Sequence, residues 1–153
     1  ETFKLLADTI NLMNFECQPE GIVTFQYLLN DGDFQIGLAP MDFTTHWSTR
    51  GGNSIYSYNK VQKTFRIHNF TAFDVIRRTS DIPIDALVPF KWGITLGVGD
   101  GIVWVNKNNF IAIGKVQNVY VSSEDELESK VTLQYRILNP IDITDDFIMN
   151  EEV

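Results

Sequence analysis

The sequence predicts a mainly β protein, an antiparallel two-sheet β-sandwich with an N-terminal amphipathic helix and one short internal helix; a closed β-barrel is the alternative. Phe90, Trp92, Ile94, Leu96 and Val98 are apolar, whereas Lys91, Gly93, Thr95 and Gly97 between them are charged, polar or small, a period of two over nine residues. After Gly99-Asp100-Gly101, Ile102 to Val105 reads as a return strand; after Asn106 to Asn109 come Phe110 to Ile113 and Val116 to Val121. Only antiparallel pairing joins strands by such short turns, so the stretch reads as a meander.

The remaining elements follow in chain order. Phe3, Leu6, Ala7, Ile10 and Met13 recur at helical spacing, with Leu5 and Leu12 widening the stripe, which predicts a helix from Phe3 to about Asn14. After Pro19-Glu20-Gly21, Val23, Phe25, Tyr27 and Leu29 share one face of a strand. Asn30-Asp31-Gly32-Asp33 has the composition of a tight turn, and Phe34, Ile36 and Leu38 continue the alternation, so a hairpin is expected here. Pro40 to Lys60 reads as a long polar loop, with a strand from Ser54 to Asn59 that turns Ile55 inward and Tyr56 and Tyr58 outward. Phe65 and Ile67 mark a strand from Thr64 to His68. Phe70 to Arg77 suggests a short helix or helical turn, N-capped by Thr71 and ended by Pro83. Val131, Leu133, Tyr135 and Ile137 form the last strand, before Asn139-Pro140 and an acidic tail.

One domain of 153 residues accounts for the whole, with residues 1–14 as a helical appendage and 141–153 as the tail. A hydrophobic share of 44% with 21% charged residues is that of a globular protein, and no apolar run is long enough to span a bilayer. Cys17 is the only cysteine, so packing alone must hold the fold, and no compartment is fixed by it. The net charge of −8 is uneven. Acidic residues gather at 124–128 and 142–152, while nine Lys and Arg between Thr44 and Lys115 face Asp74, Asp81, Asp85 and Asp100. Duplex nucleic acid is not an expected partner for so acidic a chain.

The motifs that carry chemistry are weak. Gly97-Val98-Gly99-Asp100-Gly101 is followed by a strand rather than a helix, so it is a turn and not a phosphate cradle. Asn30 to Asp33 offers too few oxygens for calcium. His46, His68 and Cys17 are one ligand short of a structural zinc site and lie in no catalytic motif. No catalytic residues, metal or cofactor are expected. Asn69-Phe70-Thr71 matches the glycosylation sequon. Trp92 and Trp104, in well-patterned strands, are expected in the core.

The segment that folding explains least is Trp47, Arg50, Asn53, Tyr56 and Tyr58. Aromatic faces suit the C–H side of a sugar ring and Asn or Arg its hydroxyls; the same residue types anchor protein interfaces. Trp47 as core beneath a loop is the other reading of that position. The strand ending in Phe34-Gln35-Ile36-Gly37-Leu38, the Gly101-Ile102-Val103-Trp104-Val105 strand and the late Val119-Tyr120-Val121 resemble jelly-roll or lectin-like sandwich domains. Among these is the extracellular family named after farnesoic acid O-methyltransferase; the resemblance carries no residue roles with it.

These readings together predict a non-catalytic binding module that recognises a glycan or protein partner through end loops. The alternative is a structural or assembly protein, such as a virion or appendage component, that self-associates as a homo-oligomer through the terminal helix and acidic tail.

Overall fold

A computed structural model of the chain describes residues 10–58, 63–90 and 92–138. Its strands are β1 (Ile10–Asn11), β2 (Phe15–Glu16), β3 (Glu20–Phe25), β4 (Asp33–Ile36), β5 (Phe43–Gly51), β6 (Ser54–Ser57), β7 (Lys63–Ile67), β8 (Val88–Phe90), β9 (Ile94–Gly97), β10 (Gly101–Val105), β11 (Ile111–Tyr120) and β12 (Lys130–Ile137). They form a seven-stranded sheet, β1-β3-β12-β11-β10-β7-β8, and a five-stranded sheet, β2-β4-β5-β6-β9. Pairing is antiparallel except at two edges, where β1 runs parallel to β3 and β2 parallel to β4. The described chain is thus a sandwich of two mixed sheets and not a closed barrel. No helix among the described residues is long and apolar enough to cross a membrane.

The main core lies between the sheets. Val23, Phe25, Ile102, Trp104 and Leu133 of the larger sheet meet Phe34, Ile36, Phe43, Trp47, Ile55 and Leu96 of the smaller one. Phe25 and Phe34 stack across the interface with centroids 3.9 Å apart. Strand β10 has no exposed side: Ile102 and Trp104 enter this core, while the alternate Val103 and Val105 enter a second cluster on the opposite face.

That second cluster is roofed by the connection from β7 to β8, which supplies Phe70, Phe73, Ile76 and Ile82. The roof is fastened by the buried Arg136 of β12. Its Nη1 donates to the carbonyls of Phe73 (3.0 Å) and Ile76 (2.8 Å), and its guanidinium lies 4.7 Å from the Phe73 ring centre. Gly101 has to be glycine, because a Cβ there would collide with the Phe70 ring.

Two short pieces of chain lie between edge strands of different sheets: residues 12–14 between β1 and β2, and residues 92–93 ahead of β9. Both leave large apolar side chains in solvent, with Leu12 71%, Met13 61% and Trp92 81% exposed.

Several expectations change. The described end of the proposed N-terminal helix, Ile10 to Asn14, is strand and bend, because Ile10 and Asn11 pair with Thr24 and Phe25 of β3. Residues 1–9 and the acidic tail lie outside the described residues. Asn30 to Asp33 turns the chain as its composition suggests, with Asp31 at φ 56° and Gly32 at φ 87°, but β3 and β4 belong to different sheets, so no hairpin forms. The Phe90–Val98 alternation likewise belongs to two strands in different sheets, and Trp92 is at the crossing rather than in the core. Trp104 is buried as expected. Pro40 to Lys60 is not one long loop: Phe43–Gly51 is a nine-residue strand. The internal helix is a single 3-10 turn, Thr71–Val75, whose N-cap is Phe70 and not Thr71.

Candidate functional site

The two outer faces of the sandwich differ. On the larger sheet the 70–82 roof covers the part formed by β7, β10 and the start of β11, while Thr132 and Gln134 of β12 stay half-exposed; the outward side chains of the smaller sheet are mostly half-exposed along its length. From β4 to β9 these include Gln35, Ser48, Ser54, Tyr56 and Thr95, with Gly97 at the edge. None is aliphatic. The alternation places them there: Phe43, Thr45 and Trp47 point into the core, so Thr44, His46 and Ser48 point away from it.

Two tyrosines dominate this face. Tyr56 leans over Gly93, where a Cβ would run into its ring and hydroxyl. The Tyr58 hydroxyl lies 3.3 Å from the position a Gly32 Cβ would take. Glycines at both places let the rings lie close to the sheet. The ring centres are 6.5 Å apart, and Tyr58 stacks on His46 at 5.4 Å. His46 is itself buried, and its Nδ1 is 2.6 Å from Asp33 Oδ1 across the β4–β5 ladder. The face is therefore stiff: a carboxylate orients an imidazole, the imidazole supports one tyrosine, and that tyrosine neighbours the next.

The five residues singled out from sequence fall in three places. Tyr56 and Tyr58 lie together on the outer face. Arg50 and Asn53 are exposed at the β5–β6 hairpin tip, around Gly51 (φ 112°) and Gly52 (φ 63°). Trp47 is on the opposite side of β5, only 1% exposed, packed edge-on against Phe25, with its Nε1–H donating to Thr45 Oγ1 at 2.6 Å. Trp47 is a core residue, the second of the two readings its sequence context allowed.

A polar centre at the corner between β9 and β10 was not anticipated. Asp100, with its side chain 9% exposed, accepts the backbone N–H groups of Asn69 (2.9 Å, Oδ1) and Gly97 (2.9 Å, Oδ2). Arg66 Nη2 donates to its Oδ2 at 3.3 Å, and His68 Nδ1 lies 3.2 Å from its Oδ1. Burial alone would raise the Asp100 carboxyl; the two N–H groups and the Arg66 cation outweigh it and hold the carboxyl below the usual aspartate range. The signal was present in sequence as Arg66 and His68 alternating with the apolar Phe65 and Ile67, which puts both polar residues on one side of β7. The hairpin tip adjoins this corner, since the Val98 N–H donates to the Asn53 carbonyl at 3.2 Å.

Among the described residues, no group of three or more His, Cys, Asp or Glu side chains is arranged to hold a metal ion. No protein-family model matches the chain, and the searches of curated proteins and of solved structures also returned no match. The likeness to lectin-like sandwiches therefore rests on strand patterning.

Proposed function

We propose that this chain is a non-catalytic binding module that recognises a glycan or protein partner through the outer face of the five-stranded sheet and the adjoining β5–β6 tip. The observation that carries this reading is the aromatic pair on the uncovered outer face of the smaller sheet. The larger sheet is roofed in part with apolar side chains; the smaller one holds Tyr56 and Tyr58 side by side, with Tyr58 stacked on the buried His46 and His46 in turn oriented by Asp33. Partly exposed aromatic rings beside hydroxyl and amide side chains suit both sugars and protein surfaces. The test is a screen of the intact chain against glycan and protein arrays, beside Tyr56→Ala and Tyr58→Ala. Binding that is lost in both variants, with unchanged melting, supports the reading. Binding that survives both substitutions overturns the assigned surface.

Self-assembly remains the second reading, favoured by Leu12, Met13 and Trp92 exposed at the two flank crossings. Light scattering over a range of protein concentrations tests it. Concentration-dependent growth in mass that Trp92→Ser weakens supports assembly, and a constant monomer mass removes it.

A further inference from the structure

We infer that the corner formed by Arg66, His68 and Asp100 is an anion subsite of the tyrosine face, so that the ligand is an acidic glycan whose charged oxygen group is held by Arg66 and His68. The inference rests on the binding reading above and narrows it to one class of ligand. Three observations lead to it.

The first is how the charges are layered. The carboxylate is turned inward, with 9% of its side chain exposed, while Arg66 is 25% and His68 76% exposed. Solvent therefore meets Arg66 and His68 more than the carboxylate, in a chain whose formal charge is −8. The exposed Arg50 on the adjoining hairpin adds to the same sign.

The second is the donor chemistry. His68 Nδ1 lies 3.1 Å from Arg66 Nη2 and 3.2 Å from Asp100 Oδ1. When Nδ1 accepts the Arg66 N–H, the ring proton is on Nε2; when the ring is protonated, Nδ1 donates to Asp100 and Nε2 again carries a proton. In both arrangements Nε2 is a donor; only the neutral ring whose Nδ1–H donates to Asp100 leaves Nε2 an acceptor, and an anion selects against that tautomer. Asp100 is met by one nitrogen of Arg66, Nη2, and a guanidinium carries five N–H donors, so Asp100 does not use up the donors of this side chain. Arginine and histidine donors held in fixed positions are suited to a carboxylate or sulfate.

The third is continuity with the tyrosines. Along the β6–β9 ladder Tyr56 is opposite Thr95 and Ser54 is opposite Gly97. The Gly97 N–H bonds Asp100, and Asp100 Oδ2 is 3.7 Å from where a Gly97 Cβ would be. One two-residue step, about 7 Å, thus separates the Tyr56 row from the row that ends at the corner. A short oligosaccharide lying along these strands spans both. Ser54 and Thr95 offer hydroxyls and Gly97 adds no side chain, so this stretch presents no aliphatic group, which favours a sugar over a protein surface.

The test compares neutral oligosaccharides with their uronate, sialylated and sulfated counterparts, on an array and then by titration calorimetry with the bound members. The expected result is at least about tenfold tighter binding of acidic members than of the matched neutral ones. His68→Gln and Arg66→Gln should remove that preference and leave neutral binding unchanged, while Tyr56→Ala removes both. His68 is exposed, so its substitution leaves the fold intact and separates loss of contact from loss of structure. The carboxylated and sulfated arms identify which anion is held. Equal binding of acidic and neutral members, or a preference that survives His68→Gln, overturns the anion subsite and leaves the tyrosine face standing. Binding of no member overturns the glycan reading and this inference with it.

Discussion

Strand β10 and the paired strands β5 and β6 show two ways of using the same alternation. In β10 all five residues are buried, because one face meets the opposite sheet and the other meets the roof fastened by Arg136. In β5 and β6 the inward residues Phe43, Trp47 and Ile55 are equally buried, but Ser48 and Tyr56 opposite them stay half-exposed. A covered face is an answer to the hydrophobic effect, and its residues need no other explanation. A face that carries aromatic rings and remains uncovered needs another explanation. The contrast locates the candidate site on the smaller sheet.

The comparison can be broken at four points. The largest effect is expected from Trp47→Ala, which empties a core position and should cost about 3–5 kcal/mol in urea unfolding. A cost below about 1 kcal/mol would mean that Trp47 is not core. Next, Arg136→Met leaves the Phe73 and Ile76 carbonyls without their donor. It should cost about 1–3 kcal/mol and speed hydrogen exchange in the roof more than in β5 and β6. Asp100→Asn should show its effect through pH. The folded-state carboxyl titrates below its unfolded value, so its contribution is present above about pH 4 and fades as pH falls through the lower, folded value. The stability gap between the native chain and Asp100→Asn should therefore be full near neutrality and shrink in acid. A gap that widens in acid would contradict the assigned hydrogen bonds. The smallest effect belongs to Tyr56→Ala, within about 1 kcal/mol of the native chain, because its ring is only half-buried.

Much of the fold was legible in the sequence, and the parts that were not share one cause. Alternation reports which side chains face a core, but the two sheets of a sandwich face the same core. Phe90 of β8 and Leu96 of β9 are both inward, although they lie in different sheets; so are Phe25 and Phe34, and Leu96 and Ile102. The apolar period therefore runs on through a crossing, and Asn30 to Asp33 or Gly99 to Gly101 reads like a hairpin turn when the chain is changing sheets. Asn106 to Asn109 does join paired strands, β10 and β11, from the same kind of composition. The β5 strand was hidden for a different reason. Its outward Thr44, His46 and Ser48 are polar and its inward Thr45 is too, so the apolar signal fell to Phe43 and Trp47.

The site was legible in type more than in place. The alternation turns Tyr56 and Tyr58 outward, and they are neighbours on the open face. Trp47, three residues from Arg50 in the chain, points the other way, since a strand assigns its residues to faces one by one. Asp100 gave no sign beyond a turn, because the groups that define its role, Arg66, His68 and the Asn69 N–H, come from β7 and the two residues after it, more than thirty residues away.

The partition of the aromatic residues between core and open face is the central claim, and hydroxyl-radical footprinting of the intact free chain, read by mass spectrometry, tests it most directly. Trp92, Tyr56 and Tyr58 should be oxidised readily, while Trp47 and Trp104, each 1% exposed, should remain unmodified until the chain unfolds. Oxidation of Trp47 at the rate of Trp92, or protection of both Tyr56 and Tyr58 in the free chain, would contradict the account.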